Sequence, residues 1–236
     1  MAERSDRTDR GYAICTSGRS GSNLLCQYLS STGVLGYPQE YFNGDGRRML
    51  GHPEYPDDPA KQIDCIMTMG ATPNGIYGVK VFPRQFDRIE QSIHWTQLLP
   101  ELAFVLLRRR DILGQAISTV RAAQTGQWRS TMAAQGTARY DGAQIYQSLQ
   151  GAVRDYARWD IFFARKAVAP TVIVYEDLLA DPQSAVDQVA QLFGLRGQAR
   201  LQNQGIDLAM QRDATTDEWR ARFLDEYRDL GPLDQP

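Results

Sequence analysis

Three groups of residues in this 236-residue chain have types and spacings that could do chemistry. The first is Thr16-Ser17-Gly18-Arg19-Ser20-Gly21-Ser22-Asn23, a run of small residues with one fixed cation. Small residues let backbone N–H groups approach an anion, and a following helix adds unsatisfied donors and partial positive charge. Arg19 supplies charge, and Ser20, Ser22 and Asn23 supply side-chain hydrogen bonds. The nucleotide-hydrolase form of such a loop ends in Gly-Lys-Ser/Thr, with its hydroxyl on magnesium. Here no Lys precedes a Ser or Thr, so the loop reads as a phosphate cradle without metal-assisted phosphoryl transfer. The plainer reading is a Gly/Ser turn capping a helix.

The second group is Pro38-Gln39-Glu40-Tyr41-Phe42, a carboxylate beside two aromatics. Glu40 reads either as a surface residue in a first helical turn or as a general base near the end of an α/β element, where ligands gather. The third is Arg108-Arg109-Arg110-Asp111, with Ser118 about two helical turns further on. It is a solvated basic turn or, at the carboxyl end of a strand, a second phosphate site.

The elements that must position these groups follow from periodicity. Tyr12–Cys15 reads as a buried strand, and Leu24, Leu25, Tyr28 and Leu29 fall at helical spacing up to Gly33. Val34-Leu35 could begin a short strand. Pro59–Met69 carries a weak apolar helical face. Ile76–Phe82 reads as a strand, and Lys80 within it either snorkels from an edge or needs an anionic partner. Asp87–Leu99 reads as a weak helix, and Leu102–Leu107 as a fully buried strand. Asp111 is an N-cap for a helix to about Ala123. Gln124–Asp141 is polar and holds Trp128-Arg129, a lid or a surface excursion. Gln144–Arg165 is an amphipathic helix whose face is traced by Ile145, Leu149, Val153, Tyr156, Asp160 and Phe163. Thr171–Tyr175 is the last strand. A turn at Glu176-Asp177-Leu178, a helix from Pro182 to Phe193 and a helix over Asp217–Leu230 complete the chain. Alternating strands and helices with apolar strands predict an α/β fold with a mainly parallel sheet.

Composition bounds the rest. Hydrophobic residues make up 42% and charged residues 23%, ordinary for a globular protein. With no composition break, residues 11–230 read as one domain behind a flexible polar lead-in of residues 1–10. A net charge of −2 argues against nucleic acid as a partner. The three cysteines, Cys15, Cys26 and Cys65, have no metal-ligand spacing and suit reduced thiols in a cytoplasm. No apolar signal core and no run of about 20 apolar residues is present, so no membrane span is expected. His52 and His94 stand beside no nucleophile and read as structural or surface residues.

Taken together, the stretches SGRSGSNLL, GYPQEYF, GVKVF, LRRRDILGQAIS and DEWRARF resemble the sulfotransferases, most closely the bacterial trehalose 2-sulfotransferase-like family. The likeness spans nearly the whole chain, and the ordered set is more specific than any one member. It implies a P-loop-kinase-like three-layer fold, a central mainly parallel sheet flanked by helices. It also implies 3′-phosphoadenosine 5′-phosphosulfate (PAPS) as sulfuryl donor, with no metal expected. By position in the family pattern, Arg19, Ser20, Gly21, Ser22 and Asn23 would hold the 5′-phosphosulfate end. Arg109 and Ser118 would hold the 3′-phosphate, although Arg110 to Ser118 matches the spacing of the animal cytosolic enzymes. Tyr175, in the sequence YED, would contact the adenine, and Arg212 is a further nucleotide candidate. Glu40 would be the catalytic base.

The resemblance implies sulfuryl transfer to a hydroxyl of a carbohydrate or glycolipid, and it allows a homodimer. The chain departs from the family pattern in being shorter between the third and fourth strands and in the composition of its acceptor-facing loops, so the acceptor stays open. Two other readings remain at this level: a P-loop-fold kinase for a small metabolite, and a nucleotide-binding protein without catalysis. The missing lysine and the arginines after Leu107 weigh against the kinase.

Overall fold

The computed structural model describes residues 9–128, 131–202 and 213–229. Four strands form one parallel sheet: β1 (Arg10–Cys15), β2 (Ile76–Val81), β3 (Leu102–Arg108) and β4 (Thr171–Val174). Their order is β2-β1-β3-β4. The chain leaves β1 towards one neighbour, β2, and returns across the sheet to the other, β3. Such a reversal opens a crevice at the carboxyl ends of the strands, where α/β proteins take ligands.

Ten helices among the described residues cover the sheet. They are α1 (Ser22–Ser31), α2 (Gly44–Met49), α3 (Pro59–Met69), α4 (Pro83–Glu90), α5 (Trp95–Leu98), α6 (Ile112–Thr125), α7 (Gly142–Lys166), α8 (Tyr175–Ala180), α9 (Pro182–Gln191) and α10 (Ala214–Tyr227). Strand side chains alternate between faces. Tyr12, Ile14, Val105, Leu107 and Ile173 therefore pack with Leu25 and Leu29 of α1 and Val186 and Val189 of α9. Ala13, Cys15, Val79, Val81 and Leu106 face the other way, into an aromatic core with Trp95, Trp159 and Phe163. A third cluster joins α6, α7 and α10 through Ile117, Val120, Ile145, Trp219 and Phe223. This is a three-layer arrangement, with helices on both faces of a central parallel sheet. All three cysteines are free thiols.

Several expected elements are redrawn. No strand forms at Val34-Leu35; the segment meets the sheet one step later, by a single parallel bridge from Gln39 to Val79. The helix expected over Asp87–Leu99 is two. Pro83 starts α4 directly after β2, because a proline with no N–H to satisfy suits a first helical turn. The chain turns at Gln91–His94 before α5. Tyr175 opens α8 rather than ending β4, so the expected turn at Glu176–Leu178 is helical. On α7, Val153 and Asp160 lie in the open, while Ala152 and Trp159 are buried. Steps of four residues drift by about 40° each on a helix of 3.6 residues per turn, so the buried stripe must return by threes.

Candidate active site

The loop after β1 is held from behind. Trp159 Nε1 on α7 donates to the Thr16 carbonyl at 2.9 Å, Gln115 Nε2 on α6 to Gly18 at 2.7 Å, and Arg109 Nη1 to Arg19 at 3.2 Å. Anchors from α7, α6 and the β3–α6 connection thus fix three of the loop's carbonyls. Gly21, the N-cap of α1, has a φ of 88°, and a Cβ there would lie 2.1 Å from the Tyr175 ring. Only glycine satisfies both conditions. At Gly18 an added Cβ would meet nothing within 4 Å, because this part of the loop faces open space.

That space is a cavity of about 630 Å³, a normal size for a small-molecule site. Gly18, Arg19, Gly21, Ser22, Asn23, Glu40, Arg109, Ser118 and Tyr175 all line it. Ser20 does not: its hydroxyl lies 2.6 Å from that of Thr16 and the residue is fully buried. Arg212 lies outside the described residues, as does Arg129.

Of the three consecutive arginines, only Arg109 lines the cavity. Arg108 is held by both Asp160 oxygens, at 3.1 and 3.4 Å, and Arg110 by both Asp177 oxygens, at 2.7 and 2.9 Å. Arg109 stacks on the Tyr175 ring at 4.7 Å, with Glu176 at 3.8 Å and a buried Nε that has no hydrogen-bond partner among the described residues. Arg19 donates through Nε to Ser118 at 2.9 Å and through Nη1 to the Trp128 carbonyl. It adopts a φ of 58°, rare for a residue with a side chain. Burial and then the repulsion of Arg109 pull its pKa below the ordinary arginine value. Two cations gathered this closely fit a multiply charged anion.

Across the cavity, Glu40 meets Lys80 of β2. The two form an ion pair at 2.9 Å, and Lys80 is almost wholly buried, so the reading that demanded an anionic partner holds. Asn43 Nδ2 and Gln85 Nε2 also donate to Glu40, at 3.0 and 3.3 Å. Burial raises the carboxyl's pKa; the Lys80 charge and these hydrogen bonds outweigh it and hold Glu40 below the ordinary glutamate value. Lys80 Nζ donates in turn to Asn23 Oδ1, tying the carboxylate to the loop. The pairing of Lys80 with Glu40 leaves no sequence signal of its own, because 39 residues separate them. A lone Lys in an apolar strand was the available signal. Asp155 was missed entirely. It lines the cavity and accepts from Ser17 Oγ at 2.9 Å, while burial raises its pKa. Among the described residues no cluster of His, Cys, Asp and Glu could hold a metal ion, and no helix is long and apolar enough to cross a membrane.

A parallel α/β sheet thus carries the Arg19-bearing loop at its switch point, facing the Glu40–Lys80 ion pair across one cavity. The family model for Stf0 sulphotransferase matches residues 11–226, and the chain belongs to that family. It is similar to trehalose 2-sulfotransferase of Mycobacterium tuberculosis, 29% identical over 278 aligned positions that cover 95% of this chain and 98% of that protein. It is also similar to the trehalose 2-sulfotransferase of Mycolicibacterium smegmatis, 28% identical with 94% and 97% covered. Among solved structures, a sulfotransferase from Alicyclobacillus acidocaldarius aligns with a TM-score of 0.48 at 15% identity, covering 92% of each chain. The sulfotransferase domain of the Synechococcus PCC 7002 olefin synthase aligns with a TM-score of 0.43 at 15% identity, covering 100% of each. The protein is a sulfotransferase of this family.

Proposed function

We propose that this enzyme transfers the sulfuryl group of PAPS to a hydroxyl of a carbohydrate or glycolipid, with Glu40 as general base. The observation that carries the reading is the meeting of Glu40 with the Arg19 loop in one cavity. Sulfuryl transfer needs in-line placement and neutralisation of spreading charge more than covalent help. Arg19 and the main chain of Ser20, Gly21, Ser22 and Asn23 would hold the 5′-phosphosulfate end. Arg109 and Ser118 would hold the 3′-phosphate, and Tyr175 would bound the adenine pocket.

In the reaction the acceptor oxygen bonds to sulfur as the bond from sulfur to the bridging phosphate oxygen breaks. The acceptor's proton passes to a Glu40 oxygen. Arg19 offsets the charge that develops on the departing 3′-phosphoadenosine 5′-phosphate. Glu40 is ionised at neutral pH, as a base must be. Trp128, half-exposed, and Met132 stand at the cavity wall, apolar surface of the kind that covers a sugar's CH face or a lipid stem.

The test is transfer of labelled sulfate from PAPS to a panel of carbohydrates by wild type and Glu40→Gln. The variant should bind nucleotide normally and turn over at least ~100-fold more slowly, the usual scale for loss of a general base. Turnover near the wild-type rate removes Glu40 from that role.

A further inference from the structure

Arg47, in the last turn of α2, lines the same cavity as Glu40 yet is only 7% exposed. Its guanidinium makes no hydrogen bond or ion pair among the described residues, and its Nε is fully buried without a partner. What holds it is the faces of two tyrosines, Tyr41 at 5.3 Å and Tyr55 at 5.7 Å from the ring centroids. Neighbouring Arg48, by contrast, is paired with Asp45 and Asp57. A buried guanidinium without a counter-ion is costly, and arginine is seldom kept so without an anion to receive its fork of donors.

The charge lining the cavity is unbalanced in the same sense. Five cationic side chains line it, Arg19, Arg47, Lys80, Arg84 and Arg109, against three carboxylates. Lys80 is matched by Glu40, and Asp111 is bound by Arg220 at 2.6 Å. Arg19 and Arg109 face the loop and Tyr175, where the nucleotide is proposed to lie. Arg47 stands on the helix that Asn43 caps, and Asn43 also donates to Glu40, so this cation belongs to the acceptor's side.

From this we infer that the acceptor is anionic: it presents a carboxylate, phosphate or sulfate to Arg47 while its hydroxyl lies at Glu40. The inference rests on the sulfotransferase reading above and narrows its acceptor class. Tyr41 and Tyr55 hold the guanidinium by their ring faces and leave its hydrogen bonds to the ligand. Charge-assisted bonds to a bidentate cation discriminate strongly between an anion and a neutral analogue.

The experiment compares matched acceptors with PAPS as donor: glucose against glucuronate, and trehalose against trehalose 6-phosphate. Titration with 3′-phosphoadenosine 5′-phosphate runs alongside for every variant. In each pair the anionic member should have a KM lower by at least ~10-fold, the scale of one charged hydrogen bond. A preference confined to glucuronate or to the phosphate identifies which anion Arg47 receives. Arg47→Met should abolish the preference by raising KM for the anionic acceptor alone, and Arg47→Lys should restore part of it. Neutral and anionic members used equally, or Arg47→Met slowing both alike, overturns the inference. Failure of the wild type to bind the nucleotide overturns instead the sulfotransferase reading on which it rests.

Discussion

Glu40 sits between opposing influences: the dry surroundings raise its pKa, and the Lys80 ammonium together with the hydrogen bonds from Lys80, Asn43 and Gln85 lowers it by more. A base works only when ionised, so the rate falls as pH drops through its pKa. If Glu40 is the base, its lowered pKa predicts an acid limb of the rate that lies below the ordinary glutamate value. Lys80→Met removes the lowering charge and leaves burial opposed only by the hydrogen bonds from Asn43 and Gln85, which moves the pKa up. The acid limb of kcat/KM should therefore shift towards neutrality in Lys80→Met. A pH profile that keeps its wild-type acid limb shows that Lys80 does not set the basicity of Glu40. The residue types of this pair were visible in the sequence, and so was the need for an anion near Lys80. What joined them was tertiary: Gln39 bridges to Val79, and Lys80 N donates to the Gln39 carbonyl at 2.9 Å. A bridge one residue long leaves no periodic pattern.

Among the elements, the unit of β1, loop and α1 was the most legible, because each part has its own signal: apolar run, small residues, helical spacing. The helix after β3 was nearly as clear. Asp111 accepts from Gly114 N at 2.9 Å and so caps α6. The sorting of the three arginines was not legible, since it depends on where Asp160 and Asp177 lie on α7 and α8. Their arrangement gives an expectation for binding. Arg109→Ala should weaken 3′-phosphoadenosine 5′-phosphate by about 10- to 100-fold, as expected for a charged hydrogen bond to phosphate. Binding of AMP, which lacks the 3′-phosphate, should change much less. Arg110→Ala should leave both affinities close to wild type. Calorimetric titration of the two nucleotides separates these cases, and equal losses for both in Arg109→Ala would move the 3′-phosphate site elsewhere.

For the whole molecule, the sheet order β2-β1-β3-β4 brings the ends of all four strands and Asp155 of α7 to one crevice. Trp159 couples this packing to the site. Its ring is buried among Phe86, Phe162 and Phe163, and its N–H supports the loop at Thr16. Trp159→Ala should cost about 3–5 kcal/mol, the usual penalty for emptying a large aromatic site. A lower denaturant midpoint at unchanged slope would record it. Trp159→Phe should recover most of that stability while still weakening nucleotide binding, because the loop anchor is gone. The apolar strands foretold a parallel sheet with both faces covered. The long α7 was also foretold, and Ile145, Tyr156 and Phe163 of its expected face are buried, whereas Val153 and Asp160 are exposed and Ala152 and Trp159 are buried beside them.

Under the proposed function the cavity takes a nucleotide phosphorylated at both its 3′ and 5′ positions. Titration of the wild-type protein with 3′-phosphoadenosine 5′-phosphate, AMP and ATP–magnesium tests it most directly. The arrangement of Arg19, Ser118 and Arg109 predicts clear preference for the 3′-phosphorylated nucleotide in the absence of added metal. Preference for ATP–magnesium, or equal affinity for AMP, would contradict it.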